Sequence, residues 1–428
     1  MNKRYSFLTS CKDSILTLAH TYNTHPCDKF DGRFPDLEWA LTHIINSRDK
    51  TLQACDKNLG GEIVDKTFHN TVCLQELTAT DDYTELHINE TDRLLILDNF
   101  HLATLSILNT SNLPDDRHHI YKYLLQSQIT TVAFSRTYPL YKIHKDGPLK
   151  IRLICATNDK HMLYYCAKFI HLQLYPTLAV MCPCLVKNSK QAITTLDSLI
   201  FPPSMILVAS DVVRMYPTII IEVAIDSLIA YLTLYEAQTK QRIIFKKLII
   251  DITILVLNNN YLYFSTLPTP EHPHTTCRFF HQKKGLPIGS SCTPTIANIF
   301  MCMIELKAIR SAIDNHIPPP LFYLRILDDI IAGYTSPEHS ITYCALLKHA
   351  TLEYTYESDL NSNIFMDIIL YKGSDYTRTG KLSTCIFQKL TSKFTYMRPD
   401  SMIPEHIVRN FIISELNRIR LLCSNDEE

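Results

Sequence analysis

The amino-acid sequence predicts an α+β protein, and three observations carry that expectation. Residues 323–334 set two adjacent acids, Asp328 and Asp329, between two apolar runs rich in β-branched and aromatic residues. This is the pattern of two short buried strands joined as a hairpin. Residues 205–216 read as a second buried strand that ends in a single acid, Asp211. Around these strands, residues 219–238, 240–258 and 295–313 carry apolar side chains at helical spacing.

Bulk composition bounds the function classes. At 428 residues the chain exceeds one ordinary domain, so two or three lobes are expected. Apolar residues at 46% and charged residues at 20% describe a folded chain, not a disordered one. A net charge of −1 gives no overall basic signature, so any nucleic-acid contact has to come from local patches. The patches are residues 142–152, Arg242 with Lys246 and Lys247, residues 278–284 and residues 409–420, each of which also fits a solvated face. The 14 cysteines show no CxxC and no framework spacing, and no secretory signal opens the chain, which predicts a reduced intracellular compartment. The longest apolar runs, such as residues 248–257, are interrupted by Asp251 and too short for a bilayer, so a soluble protein without a membrane partner is expected.

Taken in order, residues 1–50 hold the breakers His25-Pro26-Cys27 and Phe34-Pro35-Asp36 and the only tryptophan, Trp39, and read as an extension packed on the body. Residues 54–66 read as a surface hairpin around Gly60 and Gly61. Residues 70–130 are expected to be mostly helical, including 92–108, with Pro114 closing that helix. Residues 138–154 form two strand-like halves joined by Asp146-Gly147-Pro148, and alternation brings Lys142, His144 and Arg152 towards one surface. Cations on a rigid hairpin suit a triphosphate or a nucleic-acid backbone; a solvated hairpin face fits the same residues.

Helices fill residues 159–200, and Pro202-Pro203 marks a boundary before the strand ending at Asp211. An acid there suits a site, because burying it unpaired is expensive, and equally suits a cap for a helix starting near Ile219. His272, His274, Cys277 and His281 are zinc donors by type, but their spacing matches no familiar finger and His-Pro-His is a turn composition. Residues 285–294 form a Gly-containing loop that opens the helix at 295–313, an arrangement that lets backbone approach a ligand closely. At the hairpin tip, Asp328 and Asp329 place like charges together, which costs free energy unless a cation intervenes. A divalent ion is one answer, and a polar turn is the other reading. A helix at 337–350, strands at 352–357, 365–371 and 382–388, and an amphipathic helix at 404–422 with Arg409, Arg418 and Arg420 complete the chain.

The order strand–Asp, Gly loop–helix, hairpin Asp-Asp is that of the palm of template-directed polymerases. From about residue 50 onward the chain resembles a reverse transcriptase, most closely the Penelope-like retroelement type. Residues 56–60 and 64–66 resemble the family's "ADKG…VVxD", residues 140–145 its "LPKxHK", and residues 149–154 its "LRPIV". Residues 211–216 look like "DVxSLY", 285–294 like "GxxMGSPLSP" and 325–329 like "RYVDD". Residues 365–368 are similar to "FLDV", 396–406 to "YLxxxSxHPxH" and 418–424 to "LRRICS". The departures are Ile151, which shifts the arginine register at Arg152, Ser291 for a proline, a bulky Leu327 before the acids, and Pro217-Thr218-Ile219 for "TNIP".

The resemblance implies a right-hand polymerase fold with fingers, an antiparallel palm and a helical thumb. The lobes would be an extension at 1–50, fingers at 51–200, palm at 201–400 and the start of a thumb at 401–428. It implies Asp211, Asp328 and Asp329 as catalytic carboxylates holding Mg²⁺, or alternatively Mn²⁺. Lys142, Arg152, Val212, Val213, Tyr216, Gly289 and Ser290 would meet the dNTP, with Tyr216 as the gate against a 2′-hydroxyl. Arg409, Arg418 and Arg420 would grip duplex phosphates, and the partners would be an RNA template and a DNA primer. The GIY-YIG endonuclease of many family members is not found before Glu428, so an endonuclease-lacking type, a truncated copy or a fragment is expected. An active retroelement protein would work in the nucleus. A domesticated, non-catalytic nucleic-acid-binding protein is the alternative, and it predicts decay at carboxylates that are all present.

Overall fold

The computed structural model describes residues 47–54, 56, 61–111, 118–126, 134–142, 150–159, 161–388 and 405–424. Strands β1 (Lys50–Ala54) and β2 (Gly61–Asp65) pair antiparallel, and Asp65 caps α1 (Lys66–Thr78) by accepting the Phe68 N–H at 2.9 Å. Then come β3 (Tyr83–Leu86), α2 (Glu90–Thr110) behind an Asn89/Asp92 capping box, and α3 (His118–Leu125). β4 (Ser135–Tyr141) and β5 (Ile151–Ala156) form the expected hairpin, followed by α4 (Tyr164–Met181) and α5 (Ser189–Asp197). The middle of the chain gives β6 (Ile206–Val212), a single turn α6 (Met215–Thr218), α7 (Ile221–Thr239) and α8 (Lys246–Asn258). Next are β7 (Tyr261–Ser265), β8 (Cys277–Gln282) and α9 (Thr293–Asp314). The last third holds β9 (Phe322–Ile326), β10 (Asp329–Tyr334), α10 (Pro337–Leu346), β11 (Tyr354–Asp359), β12 (Ser362–Phe365) and β13 (Ile368–Tyr371). A single turn α11 (Tyr376–Thr379), β14 (Ser383–Ile386) and α12 (Glu405–Leu422) end the described chain.

The architecture is α+β. A four-stranded antiparallel sheet in the order β11-β6-β10-β9 forms the centre. On one face Ile206, Val208, Ala332 and Tyr334 pack against Ala308 and Ala312 of α9 and Tyr343 of α10. On the other, Leu207, Leu324 and Ile331 meet Phe365, Ile368 and Leu370 of the β12-β13-β14 sheet and Ala192 and Leu196 of α5. Cover on both faces is why β6 and β10 read as continuous apolar runs and not as alternating ones. Each buried Leu or Ile contributes about 1.5–3 kcal/mol here. Helix α9 is buried on nearly every side, packed among α4, α7, α10 and the sheet.

A five-stranded sheet in the order β3-β8-β7-β4-β5 stands beside this centre. It draws β3 to β5 from before residue 200 and β7 and β8 from after it. The expected lobe boundary at 200 therefore does not coincide with a sheet boundary. No helix among the described residues is long and apolar enough to cross a membrane, and no disulfide joins them. Residues 1–46, His144 and most of the residue 54–60 turn lie outside the described residues.

Candidate active site

Strands β6 and β10 run antiparallel with Asp329 directly opposite Asp211. Residues so opposed project from the same face with Cβ atoms about 4.5–5.5 Å apart, so the two carboxylates emerge together. Asp328 comes from the two-residue loop Leu327-Asp328 that joins β9 to β10, closed by the Ile326–Asp329 pair. Its carbonyl accepts the Val212 N–H at 3.1 Å, which ties the loop to the strand end carrying Asp211. The Met366 N–H donates to Asp329 Oδ2 at 3.1 Å, and Thr355 Oγ1 donates to the Asp211 carbonyl at 3.3 Å. Asp211 is exposed, and Asp328 and Asp329 are half-buried.

The backbone around these acids is strained. Leu327 (φ 54°), Arg214 (φ 50°) and Met366 (φ 59°) are three of the five non-glycine residues with left-handed φ among the described residues. Such positions cost roughly 1–3 kcal/mol each and gather where surrounding structure over-determines them. The first residue of a two-residue hairpin loop commonly needs positive φ. Leucine meets that demand because its side chain packs against the main core, beside a cavity of about 400 Å³ lined by Pro176, Leu185, Pro294, Asn298 and Ile326.

Beneath the loop lies Arg325, fully buried on β9. Its Nε donates to Glu305 Oε1 at 2.6 Å, and Nη1 donates to Asn298 Oδ1 at 2.6 Å and to the Leu327 carbonyl at 3.1 Å. Tyr323 and Cys184 also donate to Glu305. Burial works against the guanidinium charge, and Glu305 more than restores it, leaving the arginine above its ordinary pKa. The strand end is thus held by a paired charge and not by packing alone. Asn298 and Glu305 were missed in the sequence reading, although two polar residues two turns apart in an apolar helix were the available signal.

Arg152 lies opposite Leu140 in the β4–β5 ladder, and Lys142 follows two residues later on the same face, so the structure brings this cationic pair together. Arg152 Nη1 contacts Asp56 Oδ1 at 3.2 Å, with Asp56 almost wholly buried. The Tyr216 phenol is pushed up to about 12, first by burial and then by the Asp328 carboxylate, with Arg152 opposing. Tyr216 therefore stands in electrostatic reach of Asp328 and of Arg152 on β5.

The Gly285–Ser290 loop joins these two sides. Leu286 N–H donates to the Tyr216 carbonyl at 2.8 Å, Cys155 N–H donates to the Ile288 carbonyl at 2.8 Å, and Thr157 Oγ1 donates to the Gly289 carbonyl at 2.6 Å. A Cβ on Gly285 would lie 2.8 Å from Pro217 Cα, and one on Gly289 would strike the Cys155 carbonyl. Glycine is thus required at 289 by β5, independently of any ligand.

Several of the expected site residues already have partners within the protein. The amides of Val212 and Val213 are committed to the carbonyls of Asp328 and Glu353, and an N–H already bonded in the protein is not a free phosphate donor. Ser290, expected to meet the nucleotide through its backbone, is buried with its side-chain Oγ beside Cys292 Sγ. Arg418 is bound to Asp367 at 2.7 Å and to Glu415 at 3.3 Å, which ties α12 to the Met366-Asp367 loop. Arg409 and Arg420 lie exposed on α12.

The three carboxylates are hard oxygen donors on one edge, the donor type that Mg²⁺ takes. Among the described residues no three His, Cys, Asp or Glu side chains form a ready metal cage. Mg²⁺ does not demand one, since it keeps waters and uses one or two carboxylates with substrate phosphates, so the residues fit. The His/Cys loop does not converge: His281 Nε2 lies 2.9 Å from the Asn258 carbonyl and its ring stacks on Tyr261, while His272, His274 and Cys277 are exposed.

No family model matches this chain, and no curated protein does. Among solved structures, it is similar to telomerase from Candida albicans, solved in complex with a fragment of telomeric RNA. The TM-score is 0.50 with 9% identity over 81% of this chain and 54% of that one. Truncated apo telomerase from Candida tropicalis gives a TM-score of 0.48 at 10% identity, over 78% of this chain and 66% of that one. The RNA-dependent RNA polymerase of a human picobirnavirus gives 0.41 at 13% identity, over 67% and 53%. The chain spans about half to two thirds of the length of these proteins. The first of them carries the structural likeness, and at such identity it shows the fold alone: this α+β chain shares the fold of that telomerase.

Proposed function

We propose that this chain is an RNA-directed DNA polymerase of the reverse-transcriptase class, akin to the Penelope-like type, that extends a primer 3′-hydroxyl with dNTPs. The observation that carries the proposal is the register of β6 and β10, which sets Asp211 opposite Asp329 with Asp328 in the adjoining loop. A pair of divalent ions at such carboxylates activates the primer oxygen and stabilises the leaving pyrophosphate. In this reading Asp211, Asp328 and Asp329 hold Mg²⁺, or Mn²⁺ in its place. Lys142 and Arg152 neutralise the triphosphate, and the Tyr216 ring excludes a 2′-hydroxyl. The backbone at the exposed Gly289 lines the nucleotide's approach, and Arg409 and Arg420 follow duplex phosphates. In this reading the lobes are fingers at 51–200, a palm at 201–400 and the start of a thumb at 401–428. The RNA bound by the Candida albicans telomerase supports an RNA partner for this chain.

Primer extension on an RNA template with dNTPs and Mg²⁺ tests the proposal. Product is expected from the wild-type chain and none from Asp328→Asn. Equal product from both would end the catalytic reading, and equal rates with rNTPs would move it to RNA synthesis.

A further inference from the structure

Two hairpins of this chain share one unusual loop. Leu327-Asp328 joins β9 to β10, and Met366-Asp367 joins β12 to β13, the latter closed by the Phe365–Ile368 pair. Each loop is an apolar residue in left-handed conformation followed by an aspartate. The second reaches the first, because the Met366 N–H donates to Asp329 Oδ2 at 3.1 Å. A left-handed methionine aims that N–H only while the loop is held, and three groups hold it. Ser189 Oγ donates to Asp367 Oδ1, Arg418 Nη2 donates to Asp367 Oδ2 at 2.7 Å, and Phe387 N–H donates to the Asp367 carbonyl at 2.9 Å. Burial pulls the Asp367 carboxyl up, yet Ser189 and Arg418 hold it below the usual carboxylate range, so it stays ionised for the pair. Arg418 belongs to α12, whose end is also docked, with Thr384 Oγ1 donating to the Leu422 carbonyl at 2.7 Å and Ser424 N–H donating to the Thr384 carbonyl at 2.8 Å.

We propose that Asp367 and Arg418 are positioning residues for Asp329. Docking of α12 fixes the Met366-Asp367 loop, and the loop fixes the rotamer of the carboxylate that faces Asp211. Seating of the C-terminal helix thereby sets how well the centre holds a divalent ion. The inference rests on the reading of Asp329 as an ion-holding carboxylate, and it gives Arg418 a role other than duplex contact.

The test is Mn²⁺ binding by the full chain, followed as loss of the free-ion paramagnetic resonance signal, with no primer or template present. Asp367→Asn and Arg418→Gln are each expected to weaken Mn²⁺ binding about tenfold, the usual cost of losing a group that orients a ligand. Asp375→Asn, which breaks an exposed ion pair with Arg378 on the same lobe, is expected to leave it unchanged. In an Asp329→Asn background, Asp367→Asn is expected to add nothing further. Unchanged Mn²⁺ affinity in folded Asp367→Asn and Arg418→Gln overturns the proposal, as does a full additive loss in the Asp329→Asn background or a wild-type chain that binds no Mn²⁺. Should Asp367→Asn fail to fold, Ser189→Ala removes one hydroxyl from the same carboxylate and carries the test. A wild-type chain that binds Mn²⁺ with this dependence but extends no primer would end the polymerase reading and leave the positioning intact.

Discussion

Arg325 shows how much one residue decides at this site. Its guanidinium spans Glu305, Asn298 and the Leu327 carbonyl, so it braces the acidic loop from below. Removing only one member of a buried pair leaves a charge without compensation, at a cost of about 3–5 kcal/mol. Arg325→Met is therefore expected to lower the urea-unfolding free energy by that amount. The double variant Arg325→Met/Glu305→Leu is expected to recover most of it, since two apolar groups leave no orphan charge. Gly289 is decisive for a steric reason. It sits at φ 116° with the Cys155 carbonyl where a Cβ would go, so Gly289→Ala is expected to destabilise the protein by roughly 1–3 kcal/mol, read as a lowered urea midpoint. Asp211, Asp328 and Asp329 were legible as single letters because acids at the ends of apolar strands stand out. Glu305 was not, because its partner lies on a different element and only packing brings them together.

At the scale of elements, long periodic segments read well. Residues 219–238 and 295–313 correspond to Ile221–Thr239 and Thr293–Asp314, and the hairpin around Asp328 lies where the alternation of apolar and acidic runs puts it. Short strands did not read. Residues 365–371 looked like one strand and are the end of β12, a loop and β13, because Met366 has none of the usual turn chemistry and takes its left-handed φ from tertiary contacts. β3, lost in a stretch expected to be helical, is fixed by β8, with Arg278 paired to Glu85 across 193 residues. The turn composition around His272 and His274 hid the strands on either side of it, β7 and β8, the second of which carries Cys277 and His281. Four-to-six-residue strands are decided by partners distant in the chain, which a local pattern cannot report. That the amides of Val212 and Val213 are already bonded was illegible for a related reason: which amides are engaged depends on what lies alongside.

Across the whole molecule, burial leaves a pH signature in the five-stranded lobe. Burial pushes His69 and His161 down to about 4 from an ordinary 6.5, with a backbone hydrogen bond to Tyr261 opposing it at His161. The unfolded chain takes up protons at these groups below pH 6.5 and the folded chain does not until about 4, so their contribution is complete above 6.5 and is lost as pH falls through that window. The expected loss by pH 5 is about 2 kcal/mol for each histidine, seen as a lower urea midpoint than at pH 7 and reduced in His69→Phe. The central sheet has a further consequence, one of timing. β6 carries Asp211, and both strands that flank it, β10 and β11, lie later in the chain; Thr355 reaches the Asp211 carbonyl across 144 residues. Closing so long a loop costs entropy before any contact repays it. During synthesis β6 therefore leaves the ribosome with two open edges, and of the elements that cover its faces only α5 precedes it. Until its neighbours arrive it is a template for aggregation, and a chain stopped short of residue 359 would carry that strand exposed.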